Sequence, residues 1–255
     1  MGLMAILTPY LREPWAGFVG RHGDCVYTRV IFPWILSTVF YWVYGLLLLA
    51  VDMTRRPGLI YGRKHQPKAV LKPEGSGFMP PLKKCLLQVA FNQLFVLLPG
   101  LLCLDWVARL AGGGIRVDPV LPAFSEIAIH SVLGGLLVEV FFFASHRLLH
   151  VTPLYIRFHK QHHEYKAPIG LAAIYAHPIE ALIGNCFAVM GPPFLVGFHA
   201  YSWYIGICLG FFSTQSSHSG YNIDGRFHDI HHEFTTFNYG SFGLLDRLFG
   251  TFKSI

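Results

Sequence analysis

Four apolar stretches of the chain are long enough to enter a lipid bilayer. They cover residues 30–51, 85–106, 127–145 and 179–213. A helix needs about 20 apolar residues to cross the hydrocarbon core, so each of the first three stretches predicts one transmembrane helix. The fourth stretch is longer and contains Gly191-Pro192-Pro193, which ends a helix, so it predicts a hairpin. Two full spans and a re-entrant hairpin both satisfy this pattern.

The composition supports a membrane protein with a single domain. Of the 255 residues, 53% are hydrophobic and 13% are charged, whereas soluble domains carry roughly 25% charged residues. We therefore expect one all-α domain over residues 1–255, an integral membrane helical bundle with about four spans or hairpin passes. The N-terminal spans are predicted within residues 1–126, and a histidine-rich helical cap within residues 127–255.

The net charge of +6 is concentrated in one loop. Between Asp52 and Lys84, eight lysine or arginine residues face only Asp52 and Glu74. Basic loops stay on the cytosolic side of a bilayer, so residues 52–84 are predicted to be cytosolic and the N-terminus lumenal. The same topology places the histidine-rich region and the C-terminus in the cytosol. This loop explains the charge without a nucleic-acid partner, and we predict none.

Eight of the fourteen histidines form three short boxes. The boxes are His146-x3-His150, His159-x2-His162-His163 and His228-x2-His231-His232. Residues i, i+3 and i+4 share one face of an α-helix, so each box is expected to point its imidazoles at one spot. Neutral imidazole binds zinc, copper, iron and nickel, so the boxes predict a metal site without naming the metal. Eight ligands exceed the four of a tetrahedral zinc site, which favours a pair of metal ions.

Two isolated histidines lie in segments that face the boxes. His177 precedes Pro178 at the start of the fourth apolar stretch, and His218 lies in Ser-Ser-His-Ser-Gly. Each is either a further metal ligand or an ordinary polar residue. The remaining histidines fall outside the pattern and are predicted to have no metal role; they are His22, His65, His130 and His199.

Carboxylates near the boxes are candidates for orienting the imidazole rings. Ligation by imidazole alone leaves two divalent metals with about four positive charges, so acidic partners are expected. The nearby candidates are Glu164, Glu180, Asp229 and Glu233, and each fits an ordinary interfacial role equally well. Glu139 lies inside a predicted span, where a carboxylate is costly and points to function. It shares a helical face with His146 and is predicted either to face the metals or to pair with a neighbouring span.

Signatures of several other enzyme classes are missing from the sequence. The chain has no GxSxG, no P-loop and no GxGxxG motif, so hydrolase, nucleotidase and dinucleotide-binding functions lack support. Electrons for a redox reaction must therefore come from a partner. The five cysteines form no CxxC motif, and we interpret them as small apolar residues of the core.

The boxes and their surroundings resemble the fatty acid hydroxylase and sterol desaturase superfamily over about residues 130–252. HKQHHEYKAPIG, YAHPIE, HSGYN and LLDRLFGT look most like the C-4 methylsterol oxidases and their fatty acid hydroxylase domain-containing relatives. The resemblance implies a lipid-oxidising enzyme of the endoplasmic reticulum membrane that uses O2. It implies two iron ions held by the eight boxed histidines with His218 and His177. Electrons would come from NAD(P)H through cytochrome b5 or a reductase, and zinc would replace iron in mis-metallated protein.

Two departures from the sterol pattern keep other functions open. Sterol methyl oxidases often show HRLLHH and HHDFHH, whereas Val151 and Phe227 occupy the extra positions in this chain. Hydroxylation or desaturation of fatty acyl or sphingoid chains is therefore the main alternative. A non-catalytic metal-binding regulator of lipid synthesis, or a metal carrier, is an alternative of another class. A carrier should hold its ligands within the spans, whereas these clusters lie beyond the span ends.

Overall fold

The computed structural model describes residues 2–64, 81–166, 168–221 and 227–254, with side chains from residue 10 onward. Within these ranges the chain is helical, and its only β-pairing consists of two isolated bridges. The predicted all-α helical fold is therefore confirmed. Most of the predicted basic loop, residues 65–80, lies outside the described ranges, as does His65.

The longer helices run as follows: α1 Gly2–His22, α2 Tyr27–Thr54, α3 Leu82–Leu110, α4 Phe124–Leu149, α5 Pro178–Met190, α6 Ala200–Ser217 and α7 Phe227–Phe234. Shorter helical turns lie between or after them: Gly58–Tyr61, Thr152–Leu154, Tyr155–His159, His162–Glu164, Gly170–Ala172, Pro192–Val196 and Leu244–Leu248.

Three helices are long and apolar enough to cross a membrane. Helices α2, α3 and α4 contain 28, 29 and 26 residues, with mean hydropathies of 1.9, 1.8 and 2.0. At about 1.5 Å per residue each exceeds the roughly 30 Å of a hydrocarbon core. They contain the predicted spans 30–51, 85–106 and 127–145, which confirms those predictions.

Helices α2 and α3 each accommodate an internal proline through a wide turn. A π-helical turn ends two residues before each proline: Tyr27–Ile31 before Pro33 in α2, and Gln93–Leu97 before Pro99 in α3. Proline lacks an N–H and its ring meets the carbonyl four residues earlier. The extra residue of a π-turn relieves this conflict, so both helices continue.

The predicted hairpin is present in the fourth apolar stretch. Helix α5 stops at Met190, and the chain turns through Gly197, whose φ of 78° favours glycine, before α6 begins. At the tip, the Arg116 N–H donates to the carbonyl of Phe198 at 2.9 Å, and the Ala200 N–H donates to that of Arg116 at 2.8 Å. The hairpin thus reaches the loop that precedes α4.

All three histidine boxes lie at one end of the bundle, called here the histidine end. Helices α2, α4 and α6 finish there and α3 begins there, while α1 and the hairpin tip lie at the far end. The sequence pattern did not predict α1, because Arg12, Glu13 and Pro14 interrupt its short apolar run. Its Trp15 donates to the carbonyl of Asp118 at 2.8 Å, which fixes α1 against the far-end loop.

Candidate metal centre

Nine of the ten histidines predicted as ligands converge in two groups at the histidine end. The five-histidine group contains His146, His150, His159, His163 and His231, and the four-histidine group contains His162, His218, His228 and His232. Within each group, one nitrogen of every ring lies within 4.8 Å of the others. Eight of the nine side chains are buried, and His150 is half-buried.

Each HxxHH box is divided between the two groups, so the prediction that a box points at one spot was wrong. His159 and His163 enter the five-histidine group, whereas His162 enters the other. In the last box the i+3 residue, His231, is again separated from its neighbours at i and i+4. On the regular helix α7, successive residues turn by about 100°, so His228 and His232 lie about 40° apart while His231 lies about 60° to the other side. His231 therefore points into the five-histidine group, whereas His228 and His232 point into the four-histidine group.

The boxes are carried by different kinds of local structure. His146 lies in the last turn of α4 and His150 caps it, with its N–H donating to the carbonyl of His146 at 3.2 Å. The second box lies on the π-helical turn Tyr155–His159 and the 3-10 turn His162–Glu164 rather than on the predicted regular helix. The third box lies on α7, and His218 follows the last residue of α6.

Backbone carbonyls hold the rings with Nε2 facing inward. Nδ1 lies 2.7 Å from the carbonyl of Tyr239 in His146, 2.7 Å from that of Phe237 in His231 and 2.7 Å from that of Thr214 in His218. His162 and His232 point Nδ1 at the carbonyls of Tyr175 and Tyr165 in the same way. A carbonyl only accepts, so Nδ1 carries the proton and Nε2 presents its lone pair to the group.

The inward nitrogens are spaced as the ligands of a cation are. Neighbouring Nε2 atoms lie 3.0 Å apart in the His159–His163 pair, 3.1 Å in the His146–His159 pair and 3.2 Å in the His162–His218 pair. Facing lone pairs repel one another unless a cation lies between them. Two nitrogens at about 2.1 Å from one metal and at right angles would be about 3.0 Å apart. The residues therefore fit a metal ion in each group.

Burial keeps these imidazoles neutral at physiological pH. Desolvation lowers the pKa of His150, His159 and His218 to about 3 in each case. Desolvation, followed by the repulsion of neighbouring histidines, lowers the pKa of His163 and His232 well below the usual value. A neutral imidazole is the form that binds a metal, so the site needs no proton loss before binding.

Among the predicted orienting carboxylates, Glu180 lies within contact distance of a boxed imidazole. Its Oε1 lies 2.9 Å from His159 Nδ1, and its side chain is buried in the first turn of α5. The other candidates have different surroundings. Glu164 accepts a hydrogen bond from the Oη of the buried Tyr175 at 2.7 Å and pairs at 3.2 Å with the exposed Lys84. Asp229 is buried, and Glu233 is exposed.

Glu139 binds backbone rather than the metal-facing imidazoles. Its carboxylate accepts from the N–H groups of Ser241 at 2.8 Å, Phe242 at 2.7 Å and Leu245 at 3.0 Å. The partner is thus the loop after α7, not a neighbouring span. That loop also carries the Tyr239 carbonyl that faces His146, so Glu139 acts on the histidines indirectly.

Asp246 is a site-supporting residue that the sequence patterns did not identify. Its carboxylate accepts from the N–H groups of Tyr239 and Gly240, both at 2.8 Å, and from the hydroxyl of Thr251 at 2.6 Å. A Cβ at position 240 would lie 2.7 Å from Glu139 Oε1, so this position requires glycine. The available signal was an aspartate inside the apolar segment LLDRLFGT.

A buried ion pair fixes the turn that carries His218. Lys64 pairs with Asp52 of α2 and donates to the carbonyl of Ser219 at 3.1 Å, while Tyr221 Oη donates to Asp52 at 2.6 Å. Burial lowers the pKa of Lys64 despite the nearby carboxylate. The cluster joins the end of α2 to the residues that follow α6. Its partners are far apart in sequence, so local patterns gave no sign of it.

The structure places His177 in neither histidine group. Its Nδ1 accepts from the N–H of Ile179 at 3.2 Å, which caps α5, and its ring packs 5.1 Å from that of Phe158. His130 and His199, for which no metal role is predicted, lie near the hairpin tip. His130 stacks on Phe198 at 4.3 Å, and His199 caps α6.

Comparison with known proteins agrees with the histidine pattern. A family model described as fatty acid hydroxylase matches residues 131–251. The human fatty acid hydroxylase domain-containing protein 2 is 34% identical over 222 residues, which are 84% of this chain and 63% of that protein. The chain thus spans less than two thirds of the length of this relative. No solved structure gives a significant match.

Two plant relatives match over most of their own length. Methylsterol monooxygenase 2-2 of Arabidopsis thaliana is 31% identical over 186 residues, covering 67% of this chain and 69% of that enzyme. Very-long-chain aldehyde decarbonylase GL1-11 of Oryza sativa subsp. japonica is 30% identical over 259 residues, covering 95% of this chain and 92% of that protein. Together with the two histidine groups, these matches show that the chain belongs to the fatty acid hydroxylase family.

Proposed function

We propose that this chain is a membrane-bound non-haem di-iron oxygenase that oxidises a C–H bond of a lipid. One iron would be held by the five-histidine group and the other by the four-histidine group. The observation that carries the proposal is the convergence of nine inward-facing imidazoles in two groups. We propose the endoplasmic reticulum as its location, with the histidine end in the cytosol.

Iron is proposed because of the family and not because imidazole selects it. Neutral imidazole binds several first-row metals, and zinc competes strongly with ferrous iron for such a site. Relatives named hydroxylase and monooxygenase perform oxidations, which redox-inactive zinc cannot support. When bound, iron would activate O2 for the oxidation of an unactivated C–H bond.

The residues around the groups would orient the ligands and exclude water. The carbonyls of Tyr239, Phe237 and Thr214 hold the protons on Nδ1, so that Nε2 remains free to bind metal. The rings of Tyr155 and Tyr239 pack 5.4 Å and 5.0 Å from that of His150 and shield the five-histidine group. A dry, fixed ligand set strengthens its electrostatic effect on bound metal and substrate.

Electrons are proposed to arrive from a separate donor protein. The sequence has no dinucleotide-binding motif, so NAD(P)H would be oxidised elsewhere and its electrons relayed by cytochrome b5 or a reductase. Exposed Arg157, Lys160 and Lys166 lie beside the second box at the histidine end. Positive charge there would favour an acidic donor surface and speed its association.

A methylsterol-type lipid is the proposed substrate. The segments Lys-Ala-Pro-Ile-Gly and Tyr-Ala-His-Pro-Ile-Glu beside the second box look like those of methylsterol oxidases, and relatives named methylsterol monooxygenase match 66% or more of this chain. A rigid ring system loses little conformational entropy when one methyl group is held near the metals.

An acyl or sphingoid chain is the second candidate, favoured by Val151 and Phe227. Val151 is exposed, and Phe227 stacks on Phe252 at 5.9 Å, so neither position supplies the histidine typical of the sterol pattern. A relative named fatty acid hydroxylase and one named aldehyde decarbonylase also align with most of this chain.

Lipid profiling of a null mutant separates these substrates. We expect a methylated sterol precursor to accumulate and to disappear when the wild-type chain is restored. His162→Ala should fail to restore the profile, whereas His130→Ala, a histidine outside both groups, should succeed. A normal sterol profile with loss of a hydroxylated acyl or sphingoid species would support the second candidate. Restoration by His162→Ala would contradict the proposed metal site.

A further inference from the structure

The loop after α7 runs along α4 away from the histidine end and then turns back toward it. The Tyr239 carbonyl faces His146 near the end of α4, and the ring of Phe242 lies 3.6 Å from where a Cβ of Gly135 would be. The chain then returns toward the histidine end, since the ring of Phe249 stacks on that of Phe143 at 5.4 Å. Gly135 and His146 are eleven residues apart, about 16 Å along a helix. Residues 239–249 therefore form a turn whose tip is near Phe242.

The tip of this turn lies beside the membrane-spanning part of α4. The helix has 26 residues, about 39 Å, and exceeds a hydrocarbon core of roughly 30 Å by about 9 Å. Even if all of this excess projects at the histidine end, the hydrocarbon reaches about residue 143. Glu139 and Gly135 are then about 6 Å and about 12 Å inside the boundary. The backbone bound to Glu139 lies at the same depth.

Two buried carboxylates satisfy the backbone of the turn. Glu139 accepts from three N–H groups and Asp246 from two more, as described above. Unpaired backbone groups cost several kcal/mol in hydrocarbon, so non-helical backbone at that depth must find partners within the protein. This requirement explains why a span carries a carboxylate that faces no metal.

The outer surface of the turn is largely apolar. Phe242, Leu244, Leu248 and Phe249 are 54%, 51%, 73% and 55% exposed. Arg247 is also exposed, and its guanidinium lies 3.8 Å from the ring of Phe252 and donates to the Gly243 carbonyl at 3.0 Å.

We propose that residues 241–249 are a re-entrant turn immersed in the acyl chains of the leaflet at the histidine end. The apolar surface continues the lipid-facing side of α4, where Val132 is 64% exposed. Arg147 lies 5.6 Å from the rings of both Phe143 and Phe249, at the level where a cation would meet lipid headgroups. The turn is a membrane-contacting surface whether or not metal is bound and whichever lipid is oxidised.

Spin-label accessibility in lipid nanodiscs tests this depth. The parent chain would carry Cys25→Ala, Cys103→Ala and Cys208→Ala, leaving the two buried cysteines. Single labels would be attached at Phe242→Cys and Leu248→Cys. A label at Val132→Cys on α4 is the lipid-facing control, and one at Lys160→Cys, an exposed cation beside the second box, is the water-facing control.

Labels on the turn should collide often with O2 and rarely with a polar nickel chelate. Their ratio of O2 to nickel collisions should match that at position 132. It should exceed that at position 160 by at least about tenfold, since polar solutes enter hydrocarbon at a cost above the ~1.4 kcal/mol that corresponds to this factor. A ratio like that at position 160 would place the turn in water and overturn the proposal. Protection from both reagents would also overturn it, by showing that a second protein surface covers the turn.

Discussion

Replacing Glu180 by glutamine should lower the affinity of the five-histidine group for its metal. The carboxylate lies 2.9 Å from His159 Nδ1 and is only 6% exposed, and burial raises its pKa to about 8 in the metal-free fold. A divalent cation beside this carboxylate would favour its ionised form, whereas glutamine keeps the size and an acceptor oxygen but cannot ionise. Loss of such a partner usually reduces metal affinity by about 10- to 100-fold, or about 1.4 to 2.7 kcal/mol. The burial of Glu180 favours the upper part of this range.

The matched control is Glu164→Gln, which removes a carboxylate bound to Tyr175 and Lys84 near the surface. Metal retained by each purified variant would be measured by elemental analysis across a series of chelator concentrations. In Glu180→Gln, the metal of the five-histidine group should be released at about 10- to 100-fold lower chelator concentration. The control should follow the wild type, and the metal of the four-histidine group should shift by a smaller factor than that of the five-histidine group. Equal release from both variants, or a wild-type curve for Glu180→Gln, would refute an orienting role for this carboxylate.

Three further predictions concern ligands, pH and topology. His162→Ala and His231→Ala should each lower the metal content of the purified protein, while His130→Ala retains two metals per chain; equal loss from all three would refute the assignment of the groups. The pKa of His159 is near its usual value of about 6.5 in the unfolded chain but about 3 in the fold, so unfolding binds protons in that window. The unfolding free energy of metal-free protein, measured by denaturant titration, should therefore fall by about 1.4 kcal/mol or more per pH unit below 6.5, and a flat profile would contradict it. In sealed microsomes a C-terminal tag should be open to protease and a tag near Gly113 protected; the reverse pattern would contradict the proposed orientation.

The sequence predicted the spans and the histidine positions well because both depend on local patterns. Uninterrupted apolar runs locate α2, α3 and α4, and the break at Gly191 locates the hairpin. The boxes needed no long-range information, since their spacing already places imidazoles on neighbouring helical faces. The division of each HxxHH box was available in principle from the direction of the i+3 residue, but the sequence does not show how many sites surround a helix.

Residues that support the site through long-range contacts were much harder to predict. Asp246 matters because the chain returns to Glu139 more than a hundred residues after that residue, and Lys64 because it meets Asp52 beside Ser219. Nothing in the nearby sequence encodes these encounters. Glu139 was recognised as unusual from its place in a span, yet its partner depends on the path of the loop after α7. Local patterns therefore identified the imidazoles, and tertiary contacts identify what holds them.

The division of the HxxHH boxes has a consequence for how the two metals load. His159 and His163 bind in one group and His162 in the other, so a single short segment contributes to both. The same holds for His231 and its neighbours on α7. A metal that binds in either group orders both segments. The second metal then binds at a lower cost in conformational entropy. Binding should then be positively cooperative, with few half-loaded molecules at sub-stoichiometric metal.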